Sequence, residues 1–197
     1  MNNILCAKII AYSFLLTFVV CVLYNFRRFM IRKKYLNKEC LKKYEERIQR
    51  YHFSECDGIE QSALKVGMRV EYVRTKRQAY IDKKSPNVIF VNQNLDQETK
   101  NFAISHELGH VLRGYKDTVA RAEIRFFATL SAEEQICDYY SAAILLPAPE
   151  MKKRMDDGGF DDLRPDLQAE FIRKIASEKD VMEDVVNRRI IEVKMIY

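Results

Sequence analysis

Residues 101–114, NFAISHELGHVLRG, decide the fold, because they contain the pattern His-Glu-x-x-His as His106-Glu107-Leu108-Gly109-His110. Residues four apart lie on one face of a helix, so His106 and His110 can bind one zinc ion. Glu107 would then lie near the metal, where it can act as a general base and take a proton from zinc-bound water. The chain has only three histidines, and two of them belong to this pattern.

The residues around this pattern predict a helix. Asn94 or Asp96 can cap its start, and Arg113 and Gly114 are typical of its end. An apolar stripe runs through it at Phe102, Ala103, Leu108, Val111 and Leu112. An ordinary core helix would have the same stripe. Two histidines and a glutamate are costly to bury without partners, however, so the pattern favours a metal site.

A second segment, residues 131–147, offers the third ligand that a catalytic zinc site needs. Glu134 and Asp138 are four apart and face the same way on a helix. We expect Glu134 to bind zinc and Asp138 to accept a hydrogen bond from the far nitrogen of a ligating histidine. Ser131 and Glu134 also form a capping box, which needs no metal. Glu133 is a rival ligand, but it has no aspartate four residues on.

Together the two motifs resemble those of the ImmA/IrrE family of metallopeptidases, over roughly residues 50 to 195. The family pattern Glu-x-x-Ala-Asn/Asp-x-Phe-Ala-Ala-x-Leu-Leu-x-Pro is similar to residues 134–147, EQICDYYSAAILLP. Cys137 stands for the usual alanine and Tyr140 for the usual phenylalanine, which are tolerable in a core. The resemblance implies a fold similar to thermolysin around the zinc. It also implies a substrate that is a DNA-binding repressor.

The N-terminal end departs from soluble members of that family. Residues 4–24 are apolar over about the length that crosses a bilayer, with Lys8 as the only charge. Basic residues follow the apolar run instead of preceding it, unlike a signal peptide: Arg27, Arg28, Arg32, Lys33 and Lys34. We therefore expect a single-pass anchor that contacts lipid through residues 4–24, with the C-terminal bulk in the cytoplasm.

The charge distribution supports three regions: an anchor (1–25), a basic juxtamembrane helix or stalk (26–50) and a metallopeptidase domain (51–197). Residues 25–50 carry ten Lys or Arg and three Glu, whereas residues 51–197 have a net charge of about −3. The basic balance is therefore local, and we expect no direct binding of nucleic acid. Helical spacing of apolar residues predicts a stalk or a docking helix in the basic segment.

The remaining pattern predicts an α+β fold, and the family resemblance implies that this fold is zincin-like. Residues 70–74, 79–83 and 88–92 read as short strands of a small antiparallel sheet, with turns at 75–77 and 85–87. Helices follow to the end, with a break near residues 156–159 and a restart around Pro165. The strand at 88–92 is predicted to be an edge that pairs with an extended substrate.

Other residues carry weaker signals. The five cysteines show no disulfide or zinc-knuckle spacing, and Cys137 is predicted to pack in the core. Tyr115, Tyr139 and Tyr140 are open alternatives as a donor to the substrate carbonyl oxygen. Nothing in the sequence links His52, the third histidine, to the predicted metal site.

The predicted function is zinc-dependent cleavage of a regulatory protein, with Zn²⁺ bound by His106, His110 and Glu134 and with Glu107 as the base. The alternative is a zinc-dependent binding module that sequesters a regulator without cutting it. A membrane adaptor with a vestigial site is disfavoured by the intact Glu107.

Overall fold

The computed structural model describes residues 34–114 and 131–197. The helices and strands, in chain order, are α1 (Lys38–Gln49), α2 (Ile59–Lys65), β1 (Arg69–Val73), β2 (Ala79–Asp82), β3 (Ser85–Asn92), α3 (Gln97–Leu112), α4 (Ala132–Leu145), α5 (Ala148–Asp157), α6 (Pro165–Lys179) and α7 (Glu183–Ile196). Short 3-10 turns lie at Phe53–Glu55 and Phe160–Asp162. This helix-rich arrangement with one small sheet agrees with the predicted α+β class.

Within the two described ranges, no helix is both long enough and apolar enough to cross a membrane. The anchor predicted at residues 4–24 lies outside these ranges.

Helix α1 occupies the second half of the predicted basic segment and packs on the rest of the protein. The Asn37 side chain accepts a hydrogen bond from the Cys40 backbone N–H at 3.0 Å and so caps the helix. Leu41 and Ile48 are buried in the shared core, where α1 contacts α4 and α7. This stretch of the basic segment is therefore a docked helix.

The three strands form a mixed sheet in the order β1-β3-β2. β2 pairs antiparallel with β3, but β1 pairs parallel with β3, with Arg69 opposite Val88 and Val73 opposite Asn92. The prediction of a fully antiparallel sheet was therefore wrong. β3 lies between the first two strands in the sheet, and it runs in the same direction as β1.

The turn between β2 and β3 lies at Lys83 and Lys84, two residues before the predicted position. Asp82 Oδ1 accepts a hydrogen bond from the Lys84 backbone N–H at 2.8 Å, which closes a turn of the aspartate type. Pro86 lies near the start of β3, close to a register shift after Ile81, where a missing backbone N–H is tolerated.

Helices α3 and α4 pack closely and form the centre of the molecule. Asp96 caps α3 by accepting from the Thr99 N–H at 2.7 Å, and Arg113 is the C-cap residue after Leu112, followed by Gly114 at a φ of 90°. The two helices touch at Gly109, where an added Cβ would lie 3.0 Å from the Cys137 carbonyl oxygen. Glycine is needed here because the backbone of α4 fills the space that a side chain would take.

The C-terminal helices follow the predicted break. α5 ends at Asp157, and α6 restarts at Pro165. Helix α7 packs against α1, α4, α5 and α6, with Val186 and Val193 fully buried. Helix α4 therefore has α3 as one neighbour and α1 and α7 as others, and polar side chains lie on both sides of it.

Candidate metal centre

Helices α3 and α4 bring three of the predicted site residues together. His106 Nε2 lies 3.1 Å from Glu134 Oε2, and His110 Nε2 lies 3.8 Å from Glu134 Oε1. One possible ligand atom from each residue lies within 4.8 Å of the other two. Two imidazole nitrogens and one carboxylate are a common ligand set of catalytic zinc sites. The donor set therefore fits a zinc ion, and we call these three residues with Asp138 the metal cluster.

Asp138 occupies the position predicted for it beside His106. Its Oδ1 lies 3.0 Å from His106 Nδ1, the nitrogen that faces away from Glu134. A carboxylate on Nδ1 favours a proton there, so Nε2 is the nitrogen that can bind a metal once its own proton, which faces Glu134 in the metal-free protein, is displaced. Asp138 therefore fixes both the orientation and the donor atom of His106.

His110 has a different pair of partners on its outer nitrogen. Its Nδ1 lies 3.3 Å from Cys137 Sγ and 3.5 Å from Glu133 Oε1. Burial raises the pKa of the Cys137 thiol, so the sulfur stays uncharged and packs in the core, as predicted. Glu133, the rival ligand, lies on the outer nitrogen of His110, whereas Glu134 lies between the two Nε2 atoms.

In the metal-free cluster, the surroundings shift the pKa values of the two histidines in opposite directions. Burial lowers the pKa of His106, but hydrogen bonds to Asp138 and Glu134 raise it by more, to about 10. Burial and then the charge of His106 lower the pKa of His110 to about 4. Burial raises the pKa of Asp138, but the hydrogen bond and charge of His106 lower it by more, and it ends below its usual range. The cluster thus holds one positive charge among carboxylates, an environment that favours a cation.

Glu107 follows His106 in α3 and is 8% exposed. Its negative charge is close enough to raise the pKa of His106. With a metal on the two histidines, a carboxylate in this position could act as a general base.

Glu134 serves the fold as well as the cluster. Its backbone N–H donates to Ser131 Oγ at 3.1 Å, so the predicted cap of α4 is present. Its side chain meanwhile reaches both histidines. The serine half of the predicted capping box is therefore present, while the Glu134 carboxylate contacts the histidines, as expected of a ligand.

Two of the three tyrosines named as donors lie away from the metal cluster. The Tyr139 hydroxyl donates to Glu45 of α1, and the Tyr140 ring packs on Tyr44 of α1 with centroids 5.4 Å apart. Tyr115 lies outside the described residues. Tyr139 is therefore committed to α1 and does not face the histidines.

Two further predictions concern other parts of the molecule. β3 is the central strand and pairs on both sides, so the prediction that it is an edge open to a substrate was wrong; β1 and β2 are the edges. β2 and β3 form a hairpin, and β1 pairs with the other side of β3. His52 lies at a left-handed turn after α1 and pairs with Glu55 at 3.3 Å.

A second polar cluster, which we call the α1 cluster, meets α4 at Tyr139, on a different face of the helix from Asp138, and consists of Glu45, Tyr139, Arg189 and Glu192. Arg189 is fully buried, and its Nη2 donates to Glu45 Oε1 at 2.7 Å. Its Nη1 lies 3.5 Å from Glu192 Oε2, and its Nε donates to the Leu146 carbonyl at 2.7 Å. This cluster connects α1, α4 and α7.

Sequence reasoning missed Arg188 and Arg189 of α7. Arg188 Nη1 lies 3.3 Å from Asp138 Oδ2, so it contacts the metal cluster from outside. The signal for Arg189 was its place among the apolar residues Val186, Ile190 and Val193, which sets it on the buried face of the helix. Nothing in the local sequence named Glu45, its partner 144 positions away.

Comparisons with known proteins agree with this architecture. The IrrE N-terminal-like domain, a peptidase family, matches residues 63–190, which is more than half of the chain. A solved structure described as a Mycobacterium tuberculosis transcriptional regulator has a similar fold, with a TM-score of 0.53 and 14% identity. The match covers 83% of this chain and 49% of that one, so this chain spans about half its length. No curated protein gave a significant match. The chain belongs to the IrrE N-terminal-like domain family.

Proposed function

We propose that this protein is a zinc-dependent endopeptidase. The observation that carries the proposal is the convergence of His106 and His110 from one helix with Glu134 from another, with the buried Glu107 beside them. Membership of a peptidase family supports the same reaction class. When bound, zinc would lower the pKa of a water molecule toward neutrality and polarise the carbonyl of the scissile bond.

The chain's own residues have separate tasks in this proposal. His106, His110 and Glu134 hold the metal, and Asp138 keeps the His106 ring in place. Glu107 takes a proton from the attacking water and passes it to the leaving amine. Cys137 and Glu133 limit rotation of the His110 ring through its outer nitrogen.

The substrate in this proposal is a regulatory protein, such as a DNA-binding repressor with a helix-turn-helix. Support comes from the resemblance to the ImmA/IrrE family. The structural neighbour is itself described as a transcriptional regulator, although its likeness concerns the fold alone.

The proposed place of action is the cytoplasmic face of a membrane, with residues 4–24 in the bilayer. The apolar run and the basic residues after it support this location. Cys40 and Cys56 are free and partly exposed, so they report on topology. In a background with Cys6→Ser and Cys21→Ser, a membrane-impermeant maleimide should label Cys40 and Cys56 only after cell lysis, and labelling should disappear when Cys40→Ser and Cys56→Ser are added. Labelling in intact cells would contradict a cytoplasmic domain.

The experiment that tests catalysis compares protein N-termini in cells that express the wild type or Glu107→Gln. A new N-terminus that depends on Glu107 identifies a cleaved substrate. Purified wild type should make the same cut, and Glu107→Gln should reduce its rate by about 10²–10⁴-fold while it retains zinc. Glu98→Gln is a matched control, because Glu98 is exposed in the first turn of the same helix.

The alternative function, sequestration without cleavage, predicts a different outcome. Glu107→Gln would then support the same biological response as the wild type, with zinc bound in both and no new N-terminus in either. That result would contradict the peptidase proposal and favour the binding module.

A further inference from the structure

Arg188, near the middle of α7, touches the metal cluster without belonging to it. Its guanidinium has a different acceptor at each nitrogen. Nη1 lies 3.3 Å from Asp138 Oδ2, Nε donates to Glu192 Oε1 at 2.8 Å, and Nη2 donates to the Gln135 carbonyl at 3.1 Å. A planar guanidinium held at three points has little freedom to rotate.

Arg188 holds α4 through both its backbone and a side chain. The Gln135 carbonyl and the Asp138 carboxylate lie on one side of α4, three residues apart, and Arg188 contacts both. The opposite oxygen of Asp138 lies 3.0 Å from His106 Nδ1. Arg188, Asp138 and His106 therefore form a continuous series of polar contacts that ends at the candidate metal ligand.

We propose that Arg188 is a positioning residue for the metal centre, which fixes Asp138 and, through Asp138, holds the His106 imidazole in its metal-binding orientation. This proposal rests on the proposed zinc site. Asp138 has two oxygens and needs a partner for each if its carboxylate plane is to stay fixed. His106 supplies one partner and Arg188 the other.

Glu192 provides the support on the far side of Arg188. Its side chain is only 7% exposed, and its two oxygens face two neighbouring arginines, with Oε1 on Arg188 and Oε2 toward Arg189. Because Arg189 is itself fixed by Glu45 and by the Leu146 carbonyl, Glu192 is anchored in the core. Arg188 is therefore held by Glu192 within α7 as well as by its two acceptors in α4.

A purely structural role for Arg188 makes a different prediction from a positioning role. If Arg188 only joins α7 to α4, its loss lowers the stability of the metal-free protein and leaves intrinsic zinc affinity unchanged. If it acts only as a charge, its loss removes a repulsion and increases zinc affinity. A positioning role predicts weaker zinc binding, opposite in sign to the charge effect.

The test measures zinc affinity by chelator competition, together with urea unfolding of the metal-free protein. We expect Arg188→Gln to weaken zinc binding about tenfold, at the lower end of the range for groups that support metal ligands. Arg188→Lys should recover part of the loss, since a lysine ammonium keeps the charge that faces Asp138 but lacks the three separate nitrogens with which Arg188 contacts its acceptors. Arg164→Gln is the matched control, because Arg164 is exposed and pairs only with nearby Asp166 among the contacts observed.

A double-mutant cycle separates action through Asp138 from an independent effect. Asp138→Asn alone should weaken zinc binding by about 10–100-fold. Adding Arg188→Gln should then change the affinity by less than about threefold, because the group that Arg188 positions is already lost. An undiminished effect of Arg188→Gln in the Asp138→Asn background would overturn the proposal. Unchanged or tighter zinc binding by Arg188→Gln would overturn it as well.

These measurements do not depend on proteolysis. If wild type binds zinc and Arg188→Gln binds it about tenfold more weakly, the inference holds even when no substrate is cut. If wild type cleaves a substrate but Arg188→Gln has wild-type zinc affinity, the inference fails and the peptidase proposal stands. If Arg188→Gln does not fold, the Arg188→Lys and Asp138→Asn pair decides the question through the same cycle.

Discussion

The metal cluster and the α1 cluster meet the same helix, α4, on different faces, and they balance charge in different ways. Asp138 and Tyr139 are adjacent in α4, yet Asp138 contacts His106 and Tyr139 contacts Glu45. In the α1 cluster, Arg189 faces both Glu45 and Glu192, so the protein itself supplies the cation. Such a cluster serves the fold.

The metal cluster has more negative groups than fixed positive ones. The carboxylates of Glu134 and Asp138 face two histidines, and the guanidinium of Arg188 contacts Asp138 from outside the cluster. The side chains of His106 and Glu134 are 17% and 20% exposed, whereas that of Arg189 is fully buried. The two polar sites therefore differ. The α1 cluster is closed and its charges are compensated, whereas the metal cluster is partly exposed and suited to an added cation.

The largest effect that we predict on function is the loss of a ligand. His110→Ala should weaken zinc binding by about 10³-fold, since apparent zinc binding free energies of about 10–16 kcal/mol are shared among few ligands. Peptidase activity should be lost with it. Zinc content after dialysis and chelator competition would check this. Stoichiometric zinc at wild-type affinity would mean that His110 is not a ligand.

The α1 cluster should show the opposite behaviour. Arg189→Met leaves Glu45 and Glu192 buried without their shared cation, and we expect it to lower the free energy of unfolding by about 3–5 kcal/mol. Zinc affinity of the folded fraction should change by less than about threefold. Urea unfolding and chelator competition measure the two quantities separately.

A second variant sharpens this prediction. Glu45→Met combined with Arg189→Met removes both charges of the closest pair, and part of the lost stability should return. If the double variant is as unstable as the sum of the two single variants, Glu45 and Arg189 do not act as a pair.

How much of these two clusters could be predicted from the sequence depended on the distance between partners in the chain. The metal cluster has partners at helical spacing, as in His106 with His110 and Glu134 with Asp138, so local patterns indicated it. The α1 cluster joins residues near opposite ends of the described chain, and no local pattern links Glu45 to Arg189.

For the fold as well, local features could be predicted from the sequence, whereas pairing between distant segments could not. The cap at Asp96 and the break before Pro165 are local features; Asp96 was one of two predicted cap residues, with Asn94, and the break was predicted. The parallel pairing of β1 with β3 was missed because alternation of apolar residues identifies strands without giving their order. Strand order is set by packing against α3, which contacts both β2 and β3.

Gly109→Ala would disturb the place where the two helices meet. The new Cβ would lie 3.0 Å from the Cys137 carbonyl oxygen and 3.1 Å from Tyr140 Cβ. Because backbone atoms cannot move aside cheaply, we expect a loss of about 1–3 kcal/mol in unfolding free energy. Without that contact, the change would stabilise α3 by up to about 1 kcal/mol. The sign measured by urea unfolding therefore tests whether the helices touch at Gly109.

The zinc affinity of the metal cluster should rise with pH. The pKa of His106 is about 10 in the metal-free protein, against 6.5 unperturbed, so zinc must displace its proton at neutral pH. We expect up to about a tenfold gain in apparent affinity per pH unit through the neutral range. Chelator competition at several pH values would check this, and a flat profile would contradict it.

The same shift affects the metal-free fold. A raised pKa on His106 contributes stability that is fully present below about pH 6.5 and is lost as the pH rises toward about 10. Urea unfolding of the metal-free protein should therefore show a falling contribution over this range. In the Asp138→Asn variant the fall should be smaller, because Asp138 is a main cause of the shift.

The smallest effect concerns a residue that belongs to neither cluster but starts the helix between them. Ser131→Ala removes the acceptor of the Glu134 backbone N–H and should lower the unfolding free energy by about 1 kcal/mol. Zinc affinity should stay within about threefold of wild type, because the Glu134 carboxylate reaches the histidines by a separate side-chain path. Ser131→Asp, which keeps a capping oxygen, should restore the stability. If Ser131→Ala weakens zinc binding tenfold at unchanged stability, the cap positions the ligand itself, and helix formation and metal binding are not separable at Glu134.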